Sequence, residues 1–295
     1  MNEFKTYHPI VNFTYFLFVI GFSMFFMHPV CLLISLISAF SYSVLLNGKR
    51  AVKFNLLYML PLIIVTALLN PAFNHQGVTI LTYFPSGNPL TLESVMNGMA
   101  AALMLGSVIL WFSCYNFIMT SDKFIYLFGK IIPSLSLIIS MVLRFVPRFK
   151  TQLFEVSAGQ RCIGRDVSNG TLLERVKNGI RILSIMVTWS LENAIDTADS
   201  MKSRGYGLKN RTAYSNFRFT KRDMSVLAVI CVLGIYVLAG AVLGCVDYQF
   251  VPYMRGTGYS PYTIPVFAAY FILCMTPVII EAKEEIAWKL LKSKI

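Results

Sequence analysis

Two short clusters of basic residues and glycines contain the side chains whose types and spacing suit a chemical task. One cluster runs from Gly159 to Arg165, and the other runs from Ser200 to Gly207. An arginine guanidinium presents several donors in a rigid fork that matches a carboxylate. The clusters therefore predict contact with an acidic groove on another protein, although arginines in a last helical turn also complement the helix dipole.

Motifs for bond chemistry are missing from the sequence. It contains no GxxxxGK[ST] phosphate loop, no GxSxG or HExxH motif, and no Cys/His cluster with metal-ligand spacing. The apolar segments carry no Asp, Glu, Lys or Arg apart from Arg144 at a boundary, whereas ion-coupled pumps normally need such residues within the membrane. We therefore expect no enzymatic activity, no cofactor and no metal site.

The two clusters lie in a long basic segment, Arg148 to Arg222, of an otherwise apolar chain. This segment holds 14 Lys and Arg against 6 Asp and Glu, which is +8 of the chain's net charge of +12. Each charge at a bilayer centre costs roughly 2.5–3.5 kcal/mol, so we expect the segment to lie outside the lipid. Because cytoplasmic loops carry an excess of Lys and Arg, we expect it in the cytoplasm.

The pattern predicts one long helix that ends in each cluster. Pro147 suits the first turn of the earlier helix, and Gly164 suits its end. Thr171 and Glu174 match a capping box at the start of the later helix, and Gly205 suits its end. Along this later helix, residues of a seam recur at alternating steps of three and four: Leu173, Val176, Ile180, Leu183, Val187, Ser190, Ala194, Thr197 and Met201.

The side chains in the middle of the seam are small: Ser190, Ala194, Thr197 and the neighbouring Ala198. Small side chains let another backbone approach closely, so we expect either the two helices or a partner helix to cross there. An ordinary helical hairpin with a continuous seam is the alternative.

The rest of the chain has the composition of an all-α polytopic membrane protein, with 56% hydrophobic residues. Apolar runs predict about six spans, over residues 11–27, 30–46, 54–69, 94–117, 224–243 and 263–280. Pro61 predicts a kink in the third span. Residues 131–146 are interpreted as surface-lying or re-entrant, because one more crossing would put the basic segment outside the cell.

This pattern divides the chain into three predicted domains. Residues 1–120 carry about four spans, residues 121–222 carry surface and cytoplasmic helices, and residues 223–295 carry about two spans and a charged tail. Both termini are then cytoplasmic. Close packing of membrane helices is predicted at the small residues Gly98, Ala102, Gly106, Gly240 and Gly244.

A small external hairpin is predicted before the fourth span. Val78 to Phe84 has strand composition, and a turn rich in Pro and Gly follows at residues 85–89. Thr91 is then placed to cap the next helix, with Glu93 in its first turn.

At the two basic clusters the sequence resembles the transmembrane component of energy-coupling factor (ECF) transporters, the EcfT/CbiQ family. That family has two Ala-Arg-Gly motifs at the ends of cytoplasmic coupling helices. Ser203-Arg204-Gly205 is close to the second motif, whereas Cys162-Ile163-Gly164 stands where the first would be, so that Arg161 or Arg165 would substitute. The order of further short motifs supports the resemblance: His28-Pro29, Pro89 to Glu93, and Leu143 to Pro147.

The resemblance implies a scaffold in a bacterial cell membrane. Two ABC-type ATPase subunits would dock on the coupling helices, with contacts at Gln160, Arg161, Gly164, Arg165, Ser203, Arg204 and Gly205. A small membrane protein, the substrate-binding S-component, would pack against the scaffold and be reoriented by ATP-driven closure. The cargo would be a vitamin, a metal ion or another micronutrient, and its identity would reside in the S-component.

Other functions remain open from the sequence. A membrane protein insertase of the YidC type also has a basic cytoplasmic helical hairpin, but it needs a buried arginine in a polar groove, for which only Arg144 is available. Contact of the basic segment with membrane lipids is compatible with either function. Positive-inside bias explains most of the charge, so we expect no nucleic-acid partner.

Overall fold

The computed structural model describes residues 3–83, 88–129, 132–206, 208, 217–258 and 260–292. Its elements follow in chain order: α1 Glu3–Thr6, α2 Pro9–Phe25, α3 Pro29–Asn47, α4 Lys49–Phe54, a π-helix Asn55–Met59, α5 Leu60–Phe73, β1 Ile80–Tyr83, β2 Pro89–Thr91, α6 Leu92–Ile118, α7 Ser121–Gly129, α8 Pro133–Cys162, α9 Leu172–Ser203, α10 Lys221–Val242, β3 Tyr248–Gln249, β4 Arg255–Gly256 and α11 Thr263–Lys292.

Among the described residues, five helices are long and apolar enough to cross a membrane. They are α3, the run Ala51–Phe73, α6, α10 and α11, and the 17-residue α2 is a shorter apolar helix. The prediction of an all-α polytopic membrane protein is confirmed. Residues 1–124 and 217–295 form one compact unit that contains these helices, and residues 125–216 form a second unit.

Several polar side chains inside the first unit are hydrogen-bonded between helices. The Trp111 indole donates to Ser35 Oγ at 3.0 Å, and the Ser23 and Ser35 hydroxyls lie 2.6 Å apart. The Tyr15 hydroxyl donates to the Cys274 carbonyl at 2.9 Å. In hydrocarbon an unpaired polar group costs several kcal/mol, so these bonds fix the packing of α2, α3, α6 and α11.

The N-termini of the first two long helices share one device. His8 and His28 each precede a proline, and the Nδ1 atom of each accepts the backbone N–H two residues later at 3.3 Å. Proline at the first helical position lacks the N–H that would need a partner there. Each His-Pro pair thus begins a helix.

A long-range contact joins the start of α10 to the start of the chain. The buried Asp223 carboxylate accepts the backbone N–H groups of Thr220, as part of a capping box, and of His8. Arg222 lies 3.6 Å from the Glu3 carboxylate and stacks over Tyr7. These contacts hold α1 against the first turn of α10.

The kink predicted at Pro61 stays a prediction, and the structure adds a π-helical turn beside it. A π-helical turn over Asn55–Met59 lies directly before Pro61, which occupies the start of α5. The ring of a proline clashes with the carbonyl four residues earlier in an α-helix. The wider π turn gives that carbonyl room, and so the chain continues helically.

The predicted hairpin is confirmed, and its external placement stays a prediction. β1 pairs antiparallel with β2, and Thr82 lies opposite Leu90. Thr91 caps α6 by accepting the Ser94 N–H, and Glu93 in the first turn accepts the Thr79 hydroxyl at 2.8 Å. Most of the predicted turn, at residues 84–87, lies outside the described residues.

The second unit is built on α8 and α9. The prediction that its first helix begins at Pro147 is wrong. α8 runs without a break from Pro133 to Cys162, with Pro147 inside it. One proline removes a single backbone hydrogen bond, and the Thr151 hydroxyl bonds the Pro147 carbonyl at 3.2 Å. Residues 133–146 are therefore the first half of a long helix and not a re-entrant segment.

Candidate functional site

The two long helices of the second unit touch through an aromatic contact. The rings of Phe149 on α8 and Trp189 on α9 lie 5.3 Å apart, edge to face, and the Arg148 guanidinium lies 5.6 Å from the centre of the Trp189 ring. Met186 and Ile182, one and two turns before Trp189, are the buried apolar residues of α9. This face of α9 is the one covered within the unit.

The connection between α8 and α9 is held by hydrogen bonds to its own backbone. Arg175 donates to the Val167 carbonyl at 2.8 Å, and Asn178 donates to the Asp166 carbonyl at 3.1 Å. The predicted capping box is confirmed, because Thr171 and Glu174 each accept a backbone N–H from the other. The connection is therefore anchored to the first two turns of α9.

Two carboxylates of this connection are held in their charged form. The Ser168 hydroxyl and N–H donate to Asp166 and, with the nearby Arg161, lower the pKa of its carboxyl. The Thr171 N–H and hydroxyl lower the pKa of Glu174 in the same way. The capping box and the Asp166 turn are thus fully formed at neutral pH.

Both basic clusters end their helices with the same backbone geometry. At the first cluster, the Arg165 N–H bonds the Gln160 carbonyl and the Gly164 N–H bonds the Arg161 carbonyl. At the second, Tyr206 bonds Met201 and Gly205 bonds Lys202 in the same pattern. Gly164 and Gly205 have φ of 79° and 76°, which completes a Schellman motif at each end. The predicted left-handed stops are confirmed.

The shared geometry aligns the two clusters residue by residue. Arg204 is the C-cap of α9, and Ile163 occupies the same position on α8. In the first cluster, guanidinium groups lie instead two residues before and two residues after that position, at Arg161 and Arg165. The structure thus aligns Ile163 with Arg204, in the register that the resemblance gives.

The arginines of the clusters differ in their local partners. Arg161 lies 3.4 Å from the Asp166 carboxylate, although its side chain is 72% exposed. Arg165 and Arg204 are exposed, and neither side chain has a hydrogen bond or ion pair within the described residues. Near them, Gln160 Oε1 is buried without a partner in that same part of the chain, and Ser203 bonds the Ser200 carbonyl. Gly207 lies outside the described residues.

Truncation of Arg161 and Arg165 should have separable effects. We expect Arg165→Ala to weaken recovery of an ATPase partner more than Arg161→Ala, because Arg161 is shared with Asp166 whereas Arg165 is free to bind an acidic groove. A charge-assisted hydrogen bond contributes about 1.5–3 kcal/mol, or roughly ten- to hundredfold in binding. The measurement is ATPase recovered per tagged chain, with Arg181→Ala on α9 as the control. A larger loss with Arg161→Ala would reverse the assignment.

The small residues of the seam lie next to the helix contact. Ser190 follows Trp189 and is half-buried, with its hydroxyl bonded to the Met186 carbonyl. Thr197 is also half-buried, whereas Ala194 and Ala198 are exposed. A crossing by a partner helix at these residues remains a prediction.

A continuous apolar stripe on α9 is exposed within the second unit. We call it the outer stripe, and each of its members is 59–64% exposed: Val176, Ile180, Leu183, Val187, Leu191 and Ile195. It covers 20 residues, or about 30 Å of helix. The predicted seam coincides with it at four residues, so the apolar half of that seam is not what packs against α8. The contact face at Ile182, Met186 and Trp189 was not predicted, although the large aromatic Trp189 marks it in the sequence.

The small residues of α6 face α5 in the first unit. A Cβ on Gly98 would lie 2.7 Å from the Ala67 carbonyl oxygen, and one on Gly106 would lie 3.0 Å from Ile63 Cδ1. Ala102 between them is fully buried. Gly240 packs against Val266, whereas Gly244 lies beyond the end of α10, where its φ of 76° terminates the helix.

The α5–α6 contact should not tolerate a larger residue at Gly98. We expect Gly98→Leu to lower the free energy of unfolding by about 1–3 kcal/mol, because the added atoms meet backbone of α5. The measurement is the thermal unfolding midpoint in detergent. Gly21→Leu is the matched control, since a Cβ on Gly21 of α2 has nothing within 4 Å. Equal midpoints for both variants would contradict the close packing.

Comparison with known proteins bears on what these features do. The chain is 37% identical over 103 residues to the energy-coupling factor transporter transmembrane protein EcfT of Lactobacillus helveticus. It is 32% identical over 105 residues to EcfT of Lactococcus lactis and 32% identical over 100 residues to EcfT of Bacillus subtilis. The chain is a relative of the ECF transmembrane components. The resemblance inferred from the sequence is confirmed.

The similarity to EcfT covers part of each protein. The matches take in 34–35% of this chain and span 37%, 40% and 38% of the three relatives. No protein-family model matches the chain.

Proposed function

We propose that the chain is the membrane-embedded energy-coupling subunit of an ECF-type ABC importer. In this proposal α8 and α9 are coupling helices on the cytoplasmic side of a bacterial cell membrane. Two ABC-type ATPase subunits dock on their ends, and a small S-component packs against the scaffold. ATP hydrolysis takes place on the ATPase subunits, so the chain itself is a scaffold and not an enzyme.

The observation that carries the proposal is the pair of equivalent helix ends. Both α8 and α9 stop in a Schellman motif, and each stop places exposed guanidinium groups on a rigid helix end. A helix end transmits displacement better than a mobile loop does. Two equivalent basic ends on one unit suit two ATPase subunits, each offering an acidic groove.

The outer stripe supports contact with a second partner. Exposed apolar residues in a continuous row commonly mark an interaction surface, and ATPases bound at the two basic helix ends would leave this row uncovered. We assign it to the S-component, together with the small residues from Ser190 to Ala198. Movement of the ATPases would then shift α9 and reorient the S-component.

The proposal places substrate selection outside this chain. The cargo is a vitamin, a metal ion or another micronutrient bound by the S-component. Among the described residues no group of three or more His, Cys, Asp and Glu side chains is placed to hold a metal ion. The chain then serves any S-component whose surface fits the outer stripe.

The orientation follows from charge. The basic clusters and the segment Asn47 to Lys53, which holds three basic residues and no acid, face the cytoplasm together with both termini. The β1–β2 hairpin faces outward. In the variant Lys202→Cys, a membrane-impermeant thiol reagent applied to intact cells should leave the new cysteine unlabelled. Labelling of that cysteine would place α9 outside the cell and rule out contact with ATPases.

Affinity purification tests the assembly. The tagged full chain, purified from its own host, should recover two ATPase subunits and one S-component. Hydrolysis of ATP should require the ATPases and not the chain alone. Recovery of ribosomes and newly made membrane proteins with no ATPase would favour the insertase alternative instead.

A further inference from the structure

An apolar groove opens on the membrane face of the first unit, between α3, α5 and α6. It has a volume of about 300 Å³, at the lower end of the roughly 300–1,000 Å³ of ligand pockets. Leu36 and Phe40 of α3 form one wall, Met59 forms the other, and Leu110 of α6 lies between them. All three helices belong to candidate membrane spans, so the groove faces the lipid tails.

The π-helical turn helps to shape this groove. Asn55, Leu56 and Met59 all lie in the turn and all line the groove. Gly106 on α6 has no side chain, and Ile63 of α5 occupies the space where one would lie. The groove thus lies beside the π turn, where α5 packs closely on α6 at Gly106. Single π turns occur frequently at functional sites.

The chain beyond one end of the groove is basic. Ser41 and Asn55 line that end, and Asn55 donates to the Ser43 hydroxyl at 3.2 Å. Lys49 and Lys53 follow at the end of α3 and the start of the same span, and both are exposed. Ser41 lies six residues before Asn47, which is about 9 Å along α3. An apolar cavity therefore runs into a basic rim within two helical turns.

Neither lysine is neutralised by the chain itself. Lys49 and Lys53 form no ion pair or hydrogen bond within the described residues, and no acid lies between Asn47 and Phe54. Basic side chains beside a span attract anionic lipid headgroups, and each contributes about a fivefold preference. The rim thus complements a negative charge at membrane-surface depth.

We propose that this groove is a binding site for one anionic phospholipid, with an acyl chain along Phe40 and Met59 and its phosphate at Lys49 and Lys53. The apolar lining suits an acyl chain, and the two lysines favour a negatively charged headgroup over a neutral one. This assignment does not depend on the transport function.

Native mass spectrometry of the detergent-purified full chain tests the site, with phosphatidylglycerol and phosphatidylcholine as the two probes. Wild-type chain should hold one phosphatidylglycerol about 25-fold more tightly than phosphatidylcholine, from two lysines at about fivefold each. Lys49→Gln/Lys53→Gln should bring the two lipids to parity. Lys283→Gln/Lys289→Gln, which removes the same charge from α11, should keep the preference.

A second pair of variants tests the groove itself. Ile37→Trp places a ring in the groove and should remove saturable binding of both lipids, whereas Leu33→Trp, one turn earlier on the same helix and equally in contact with lipid, should retain it. Leu60→Trp, on the opposite wall, should act as Ile37→Trp does and serves if that variant fails to fold. The proposal is overturned if the wild-type chain shows no lipid preference, or if both filling variants still bind phosphatidylglycerol. It is also overturned if Ile37→Trp and Leu60→Trp make the chain lose a copurifying membrane protein while the lipid stays bound.

Discussion

Arg204→Glu should abolish recovery of ATPase subunits with the chain while leaving the chain folded. Arg204 is exposed at the C-cap of α9, where the Schellman motif fixes its backbone, so a substituted carboxylate would face the partner from the same place. A like charge set against an acidic groove costs several kcal/mol, which corresponds to roughly a hundredfold or more in binding. Uptake of cargo by cells that carry the whole assembly should fall with it.

Two further variants make this result specific to Arg204. Lys177→Glu makes the same charge change on an exposed residue near the other end of α9 and should leave ATPase recovery intact. Arg204→Lys keeps the charge but loses the forked donors, so it should recover an intermediate amount of ATPase. If Arg204→Glu copurifies with ATPases and supports normal uptake, the coupling contact lies elsewhere.

Val187→Lys should release the S-component while ATPase recovery stays unchanged. Val187 lies in the middle of the outer stripe and is 59% exposed, so the variant should fold. Burial of a Val side chain at an interface contributes about 1.5–3 kcal/mol, and its loss lowers binding roughly ten- to hundredfold even before the new charge is desolvated. The measurement is S-component and ATPase recovered in the same purification.

Thr188→Lys is the matched control for this variant. Thr188 is the next residue, is also exposed, and lies about 100° further round α9, outside the outer stripe. It should retain the S-component. Loss of the S-component with both lysine variants would indicate a general effect of charge, and loss with neither would leave the outer stripe without this partner.

Local signals in the sequence predicted the ends of helices well. The Thr171–Glu174 capping box, the Thr91 cap and the stops at Gly164 and Gly205 each depend on atoms within six residues, and the structure contains all of them. The β1–β2 hairpin is also local. Such features follow from backbone sterics and nearby side chains, which the sequence displays directly.

Features that depend on distant contacts were not predicted. Pro147 resembles a helix start, but α8 continues through it because the loss of one hydrogen bond is small beside the packing of a 30-residue helix. The seam on α9 is periodic, but periodicity alone does not tell which apolar face meets α8, and the contact uses Trp189. The bond between His8 and Asp223 joins residues 215 apart in the sequence.

Ile163 occupies the C-cap position on α8 that Arg204 occupies on α9. The two helix ends therefore differ in side-chain chemistry although their backbones are alike. A partner pair with twofold symmetry would meet a guanidinium at one end and a branched alkyl group at the corresponding point of the other. The two ATPase subunits would then bind the two helix ends with different affinity. A subunit matched to one end would fit the other end poorly. In the proposed assembly, the two helix ends would therefore favour two non-identical ATPase subunits that bind in one fixed arrangement.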